Sequence, residues 1–236
     1  MSQPGLCAGI SVITFDAAGT LVAPHPSVGA IYREVALRHD RDYPEDRLGA
    51  GFRHAFHAVS KDPTVLDPEA RERDFWSRVV TQAIATIGPV PDNYPVFFDE
   101  LYETFSHASR WRVFPGVFET LAILAERGLR LAVLSNWDHR LHTVLEETEL
   151  RPFFDAVIIS SEAGFEKPDP GIFRAAERAL GVTCAACLHV GDSRKHDLEG
   201  AREAGWHGLI VRHGHGHGMV DDHEIDTLPE LPSRLA

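Results

Sequence analysis

Short apolar runs alternate with longer amphipathic stretches along most of the chain. Apolar residues dominate residues 10–15, 129–134 and 186–190, and two more runs lie at residues 156–159 and 207–211. Runs of this kind are typical of strands that are buried on both faces of a parallel sheet. Because helical stretches separate the runs, the pattern predicts a parallel, doubly wound α/β sheet with right-handed crossovers.

The helical stretches of this alternating part carry start and stop signals at their ends. Pro170 stands at the beginning of a stretch that Gly181 ends, and Gly128 ends the stretch before the second strand. Proline suits the first turn of a helix, and glycine suits the residue just after the last turn. A helix is therefore predicted at residues 170–180, and a further helix is predicted at residues 195–204.

The alternation of strands and helices stops between residue 26 and about residue 110. This region is rich in aromatic residues and shows helical spacing without a strand pattern. It is predicted to be an all-helical insertion, so that residues 1–24 and 112–236 form the core and residues 25–111 form a helical domain. Four helical segments are predicted within it: 27–40, 44–60, 69–87 and 94–108.

The composition is that of an ordinary globular protein with an acidic balance of charge. Of the 236 residues, 44% are hydrophobic and 25% are charged, and the formal net charge is −12. This charge argues against nucleic acid or an anionic membrane as the main partner. An acidic enzyme that handles an anionic substrate would need a metal ion or local cations to receive it.

The apolar runs and the cysteines indicate the compartment. Residues 1–9 show no basic region followed by a long apolar run, and no segment approaches the about 20 apolar residues of a membrane span. Three cysteines do not suggest a disulfide scaffold. We expect a cytoplasmic protein without nucleic acid or membrane partners, monomeric or weakly dimeric.

Near the carboxyl end, His213, His215 and His217 alternate with glycines. A metal-binding tract is one interpretation of this pattern. We interpret the tract instead as a surface loop that binds nickel or zinc adventitiously.

Polar side chains follow three of the predicted strands. Asp16 follows the first strand, Ser135 and Asn136 follow the second, and Asp192 follows a later one. Lys167 lies in the loop after a further strand. The carboxyl ends of strands in a doubly wound sheet gather along one edge, where such sheets bind their ligands. These residues are therefore expected to converge.

The residue types at this edge are those of a phosphate site. Asp16, Asp192 and Asp197 form a group of carboxylates that would repel one another unless a cation or a proton neutralised them. Hard oxygen ligands of this kind suit magnesium. Ser135, with nearby backbone N–H groups, and Lys167, with its compact positive charge, could hold an oxyanion. The sequence therefore predicts a nucleophile, a metal, a lysine and a hydroxyl at one site.

In their order and spacing, these segments resemble the four motifs of the haloacid dehalogenase-like hydrolase superfamily. Residues 15–21 resemble the first motif, 134–136 the second, 167–170 the third, and 191–193 with Asp197 and Gly200 the fourth. The likeness covers nearly the whole chain. It implies an α/β fold whose Rossmann-like core is a doubly wound parallel sheet, with an all-helical cap domain inserted after the first strand. Further likeness points to one subgroup, and it lies at residues 51–53, 105–107, 128–133 and 166–173.

The resemblance implies a role for each matching carboxylate. Asp16 would attack phosphorus and become an aspartyl phosphate, a covalent route that splits one difficult step into two. Asp16 and Asp192 would bind Mg²⁺ as the cofactor, together with the backbone carbonyl of Ala18. Asp197 would be either a ligand through water or an anchor behind the ligands. The substrate would be a small phosphorylated molecule.

Three further residues would handle the transferred phosphoryl group. The resemblance implies that Ser135 and the backbone N–H of Asn136 hold the phosphoryl oxygens. Lys167 would restrain the nucleophile and offset the negative charge of the crowded site.

One position departs from the pattern of the phosphatases in this superfamily. Two residues after the nucleophile they usually carry a second aspartate as general acid and base, and here that position is Ala18. A methyl group can neither protonate a leaving group nor activate water. Proton transfer typically contributes about 10²- to 10⁴-fold, so its absence penalises poor leaving groups most.

The sequence leaves four functions open. The first is a magnesium-dependent phosphatase that is weak, acts on activated phosphates or takes its proton from a cap residue. The second is a metal-independent 2-haloacid dehalogenase, whose first motif also lacks the acid but whose fourth motif has serine in place of Asp192. The third is a phosphonate hydrolase, which needs a cap lysine for a Schiff base, whereas the surroundings of Lys61 resemble an exposed helix end. The fourth is a catalytically weak protein that binds a phosphorylated ligand.

Overall fold

The main sheet has six parallel strands in this structure, a computed structural model that describes residues 9–214 and 222–235. The described residues contain eight strands in all: β1 (Val12–Phe15), β2 (Val22–Pro24), β3 (Trp111–Val113), β4 (Arg130–Ser135), β5 (Ala156–Ile159), β6 (Cys187–Gly191), β7 (His207–Val211) and β8 (Glu224–Ile225). Of these, β2 and β3 pair in a separate two-stranded sheet. The sequence pattern missed β2, β3 and β8, because strands of two or three residues are too short to show a period.

The strand order of the main sheet is β5-β4-β1-β6-β7-β8, which confirms the predicted doubly wound α/β fold. β1 lies between β4 and β6, with Phe15 opposite Val133 on one side and Val190 on the other. The order of the strands reverses here, so the carboxyl end of β1 is the switch point at which open sheets bind their ligands. Asp16 is the next residue along the chain.

Helices lie between the strands and in the insertion, and two short ones, Ser160–Ala163 and Leu231–Arg234, were not predicted from the sequence. They are α1 (Val28–Arg38), α2 (Glu45–Ala58), α3 (Pro68–Ala85), α4 (Tyr94–Thr104), α5 (Val117–Glu126), α6 (Arg140–Glu147), α7 (Ser160–Ala163), α8 (Pro170–Leu180), α9 (Gly200–Glu203) and α10 (Leu231–Arg234). Helices α1 to α4 are the four predicted for the insertion, and α8 has the predicted bounds. Gly181 ends α8 in the left-handed conformation that glycine adopts without strain.

The segment 195–204 differs from the continuous helix that the sequence predicts. Arg194–Glu199 form a π-helical turn, and the α-helix begins only at Gly200. The Ser193 side chain caps the turn by accepting from the N–H of His196 at 3.2 Å. Asp197, in the middle of the turn, points inward and is buried. Single π-turns of this kind are frequently found at functional sites.

The described residues group into two compact units. The first contains the residues up to Ala23, Val113–Trp137 and the residues from Thr148 onward, and it holds the main sheet. The second contains Pro24–Arg112 and Asp138–Glu147, and an aromatic and aliphatic core joins its helices α1 to α4. Helix α6, which the order of the chain placed in the core domain, therefore groups with the helical unit.

A buried ion pair explains why the start of α6 groups with the helical unit. Arg140 donates to both carboxylate oxygens of Asp138, at 2.8 and 2.7 Å, and to the carbonyl of Tyr102 at 2.7 Å. The Tyr102 hydroxyl donates to Asp138 at 2.9 Å, and the guanidinium lies 3.5 Å from the centre of the Tyr102 ring. A buried charge that loses its partner is strongly destabilising, so these three residues form one block.

None of the helices in the described part of the chain is long and apolar enough to span a membrane. Residues 1–8, which bear on the expected compartment, and His215 and His217, which bear on the histidine tract, lie outside the described residues.

His213 is the one histidine of that tract among the described residues. Its ring stacks on Phe114 with 3.6 Å between ring centres, and its Nε2 lies 2.9 Å from the carbonyl oxygen of Thr20.

Candidate active site

Asp16 leaves β1 at the switch point of the sheet and is nearly buried. Its N–H donates to the carbonyl of Val190 at 2.9 Å, which fixes the backbone as it leaves the strand. Its Oδ1 accepts from Ser135 Oγ at 2.9 Å and from Lys167 Nζ at 2.7 Å. Among the described residues, none donates to Oδ2. One oxygen of this carboxylate is therefore held in place, and the other is left for a ligand.

Lys167 is fixed at both its main chain and its side chain. Asn136 Nδ2 donates to the Lys167 carbonyl at 2.8 Å, and the Lys167 N–H donates to Asn136 Oδ1 at 2.6 Å. Nζ donates to Asp16 and, at 2.6 Å, to Asp197 Oδ1. Burial alone would lower the pKa of this amine, but the two carboxylates outweigh burial and hold its pKa above the ordinary value. Lys167 is therefore an ammonium ion.

The structure brings Ser135 and Asn136 to the site as the sequence predicts, with different tasks for their side chains. Ser135 ends β4, is buried, and points its hydroxyl at Asp16. The Asn136 amide is used on both sides by the backbone of Lys167. Only the backbone N–H of Asn136 is thus left for the role that the resemblance implies.

Asp197 has both carboxylate oxygens occupied. Oδ1 accepts from Lys167 and, at 3.0 Å, from His189 Nε2, and Oδ2 accepts from the N–H of Ser193 at 2.8 Å. Burial would raise the pKa of this carboxyl, but Lys167 and His189 outweigh it and hold the pKa well below the usual range. Gly191 makes room for the arrangement, because a Cβ there would overlap the Asp197 carboxylate.

His189 is a buried polar residue that the sequence analysis missed. It lies in β6, fully buried, with Nδ1 2.8 Å from Thr14 Oγ1 and Nε2 facing Asp197. Burial and then the charge of Lys167 lower its pKa, so the ring is neutral. The signal was a single histidine inside a run predicted to be buried on both faces, where a polar ring needs partners.

Asp192 and Ala18 are the exposed members of the site. Gly19, with φ +88°, packs so closely on Asp192 that a Cβ there would overlap the carboxylate. Partial desolvation, and then the charges of Asp16 and Asp197, raise the pKa of Asp192 to about 7. Water reaches this exposed side chain and softens the desolvation, whereas the repulsion by the two aspartates persists. The cluster is therefore short of positive charge.

The carboxylates of Asp16 and Asp192 together fit a magnesium ion. In the described structure no side chain donates to Asp16 Oδ2 or to the Asp192 carboxylate, while Asp197 is fully occupied. Over residues 9–214 and 222–235, no group of three or more His, Cys, Asp or Glu side chains forms a candidate metal site. Mg²⁺ commonly takes one or two carboxylates and fills its other positions with water or substrate phosphate. Two accessible carboxylates, with the exposed Ala18 two residues after Asp16, match this coordination preference of Mg²⁺.

Lys61, the candidate Schiff-base lysine, belongs to the helical unit and is engaged there. Its ammonium forms an ion pair with Glu72, which is buried, and lies 5.7 Å from the centre of the Phe75 ring. The expectation of an exposed helix end is wrong, because these two partners draw the side chain inward. An ammonium ion paired in this way is a poor amine nucleophile.

A doubly wound sheet with this polar cluster at its switch point defines a Rossmann-like α/β protein with a ligand site at the carboxyl edge. The chain belongs to the haloacid dehalogenase-like hydrolase family, whose model matches residues 10–205. The subgroup indicated by the sequence is that of haloacid dehalogenase-like hydrolase domain-containing protein 3. The chain is 37% identical over 231 residues to the protein of that name from Homo sapiens and 36% identical to that from Bos taurus. Each alignment covers 95% of this chain and 90% of the relative.

Solved structures with the same fold include a phosphatase and a dehalogenase. The HAD phosphatase from Thermococcus onnurineus is 22% identical with a TM-score of 0.68, covering 96% of this chain and 98% of that one. The L-2-haloacid dehalogenase from Xanthobacter autotrophicus is 23% identical with a TM-score of 0.71, covering 95% and 97%. The HAD-hydrolase YfnB from Bacillus subtilis, solved with bound magnesium, is 17% identical with a TM-score of 0.75, covering 97% and 99%. At these identities the likeness establishes the fold alone.

Proposed function

We propose that the protein is a magnesium-dependent phosphatase of small phosphorylated metabolites that works through an aspartyl phosphate on Asp16. One observation carries the proposal: the exposed carboxylate of Asp192, without a side-chain donor, adds its charge to the site of Asp16. The corresponding position of 2-haloacid dehalogenases is a serine. A metal-independent reaction has no use for a second carboxylate that opposes the charge of the nucleophile. A bound divalent cation would offset the charge of these two carboxylates, so that the site could receive a phosphate group.

In the first step, Asp16 Oδ2 attacks phosphorus on the side opposite the leaving oxygen. The Oδ2–P bond forms as the P–O ester bond breaks, and the electron pair leaves on the alcohol oxygen. The bonds from Ser135 and Lys167 to Oδ1 keep the carboxylate turned for this attack. When bound, Mg²⁺ supplies positive charge that the carboxylates and the phosphoryl oxygens share.

In the second step, water attacks phosphorus, and the Oδ2–P bond breaks to release phosphate and the Asp16 carboxylate. Lys167 and the backbone N–H of Asn136 offer positive charge and a hydrogen bond to the phosphoryl oxygens in both steps. Because both oxygens of Asp197 already accept hydrogen bonds, we assign Asp197 the role of an anchor for Lys167, the second of the two roles that the resemblance left open.

The direct test is phosphate release from acetyl phosphate and nitrophenyl phosphate, followed by a screen of phosphorylated metabolites, with and without magnesium. Release that depends on Mg²⁺ supports the proposal. A second candidate, the 2-haloacid dehalogenase, is favoured by Ala18, and metal-independent chloride release from 2-chloropropionate would replace the phosphatase with it. Binding of phosphorylated ligands without release of either product would identify a binding protein.

Asp192→Asn is expected to weaken Mg²⁺ binding, because it removes one of two charges that hold the ion. We expect the affinity measured by titration calorimetry to fall by roughly 10-fold or more. Asp155→Asn is the matched control: the same change at an exposed aspartate that pairs with Arg130 at 2.7 Å. Equal affinities for wild type and Asp192→Asn would exclude a magnesium site at this carboxylate.

Ala18→Asp is expected to supply the missing general acid. Ala18 is exposed, so a longer side chain there has room in solvent. Hydrolysis of alkyl phosphates, whose alkoxides leave poorly, should rise by roughly 10-fold or more, while hydrolysis of acetyl phosphate should change little. The comparison between substrates separates proton donation from a general change in the site. If Ala18→Asp binds Mg²⁺ and shows no preferential gain on alkyl esters, another residue already supplies the proton or ester hydrolysis is not the reaction.

A further inference from the structure

A chain of buried hydrogen bonds runs behind the nucleophile. Thr14 Oγ1 lies 2.8 Å from His189 Nδ1, and His189 Nε2 lies 3.0 Å from Asp197 Oδ1. The same Asp197 oxygen accepts from Lys167 Nζ at 2.6 Å, and Lys167 donates on to Asp16. Thr14 and His189 are fully buried, and Asp197 and Lys167 are 1% and 3% exposed. The reaction steps proposed above make no use of His189.

The partners of His189 decide which ring nitrogen carries its proton. Asp197 Oδ1 belongs to an ionised carboxylate and can only accept, so the Nε2 that faces it carries the hydrogen. Nδ1 is then the acceptor, and the Thr14 hydroxyl donates to it. His189 thus donates to the carboxylate that holds Lys167.

His189 and Lys167 are linked through the same oxygen of Asp197. Lys167 Nζ lies 3.5 Å from His189 Nε2, but a nitrogen that carries a hydrogen cannot accept from an ammonium. The ring instead restrains Oδ1 of Asp197, while the N–H of Ser193 holds Oδ2. The ring itself stands edge-on to Phe173, with 5.7 Å between ring centres and 88° between the planes, inside a central strand.

We propose that His189 is a positioning residue that, by donating from Nε2 to Asp197, keeps the Lys167 ammonium directed at Asp16. The consequence for the reaction rests on the function proposed above; the consequence for Lys167 does not. Without this donor, the N–H of Ser193 still holds Asp197 Oδ2, but Oδ1 keeps no partner other than Lys167, so Asp197 fixes the direction of the Lys167 ammonium less firmly. A group that misses its place by about 1 Å can cost on the order of 10²-fold in rate.

Two amide substitutions of His189 distinguish the effect of the hydrogen bond to Asp197 from the effect of having any polar side chain at this position. The amide nitrogen of His189→Gln reaches the place of Nε2 and keeps a donor for Asp197. His189→Asn is shorter, reaches only the place of Nδ1, and keeps the Thr14 partner alone. We expect kcat for acetyl phosphate to fall roughly 10- to 100-fold in His189→Asn and less than about 3-fold in His189→Gln, with KM unchanged in both. His207→Asn, at an exposed histidine of β7, is the matched control.

The position of the Lys167 ammonium can also be tested without substrate, by nuclear magnetic resonance. In proton–nitrogen spectra that detect lysine side chains, the buried Lys167 ammonium should give an exchange-protected signal, assigned by its loss in Lys167→Met. We expect the signal to persist in wild type and His189→Gln and to vanish in His189→Asn. Histidine-labelled wild type should show the ring of His189 as the neutral form with hydrogen on Nε2.

Each outcome decides the proposal. Equal kcat in His189→Asn and wild type, an equal loss in both variants, or an unchanged Lys167 signal in His189→Asn would overturn it. Hydrogen on Nδ1 in wild type would overturn it too, even if His189→Asn does not fold. If wild type releases no phosphate, the function proposed above fails, and the Lys167 signal in the variants still decides the role of His189.

Discussion

Asp16→Asn should abolish hydrolysis, with kcat falling on the order of 10⁴- to 10⁶-fold, the scale seen when an enzyme loses its nucleophile. The amide oxygen can still accept from Ser135 and Lys167, which leaves the nitrogen at the place of Oδ2. A neutral amide nitrogen there cannot attack phosphorus, so no aspartyl phosphate forms. Phosphate release and mass spectrometry of acid-quenched enzyme, which traps the phosphorylated peptide of wild type, measure the two consequences separately.

The control for this experiment is again Asp155→Asn, which makes the same change at an exposed residue and should retain wild-type kcat. Circular dichroism and melting midpoints show whether each variant is folded. A phosphorylated peptide that appears in wild type but contains another residue than Asp16 would refute the proposed nucleophile. Phosphate release by Asp16→Asn at the wild-type rate would refute it equally.

Lys167→Met should damage both stability and activity, because it leaves two carboxylates without their shared cation. Breaking a buried ion pair by removing one partner typically costs about 3–5 kcal/mol. For a chain of this size that corresponds to a melting midpoint lower by about 10 °C. The rate should fall by roughly 10²- to 10³-fold, as when a charge-stabilising donor is lost. Thermal melting and kcat with acetyl phosphate measure the two losses.

The double variant Lys167→Met with Asp197→Asn tests the ionic cause. Removing both partners should cost less stability than the sum of the single changes, since no unpaired charge remains at Asp197. The pH dependence gives a second test. Lys167 depresses the pKa of Asp197 in the folded protein. The stability that this ion pair contributes is therefore fully present above the ordinary carboxyl pKa of about 4, and it is lost progressively as the pH falls from there through the lower pKa of the folded state. The gap in melting midpoint between wild type and Lys167→Met should therefore narrow in acid. A gap that does not change between pH 7 and pH 3 would contradict the ionic cause.

Much of the core and the convergence of the site could be predicted from the sequence, because they depend on signals that are local. Buried strands appear as apolar runs, helix ends carry proline and glycine, and parallel strands bring their carboxyl ends to one edge. Asp16, Ser135 and Lys167 converge for this reason alone. The hydrogen bonds between them join residues that are 119 and 151 positions apart along the chain.

The features that the sequence did not predict depend on packing between distant residues. The inward turn of Asp197 needs a π-helical turn and the absence of a side chain at Gly191, and neither appears in a helical period. The tasks of His189 and of the Asn136 amide depend on which groups face them across the fold. Lys61 was misjudged for the same reason, because its partner Glu72 lies in another element.

The block formed by Tyr102, Asp138 and Arg140 sets limits on how the gene can be cut and recombined. Since residues 138–147 group with the helical unit, that unit is encoded by two separate stretches. A shortened chain that joined residue 23 to residue 113 would lack Tyr102. It would keep the ion pair of Asp138 and Arg140 without the hydroxyl and the ring that contact them. Exchanging the helical unit for that of a relative therefore requires that both stretches, Pro24–Arg112 and Asp138–Glu147, be replaced at the same time.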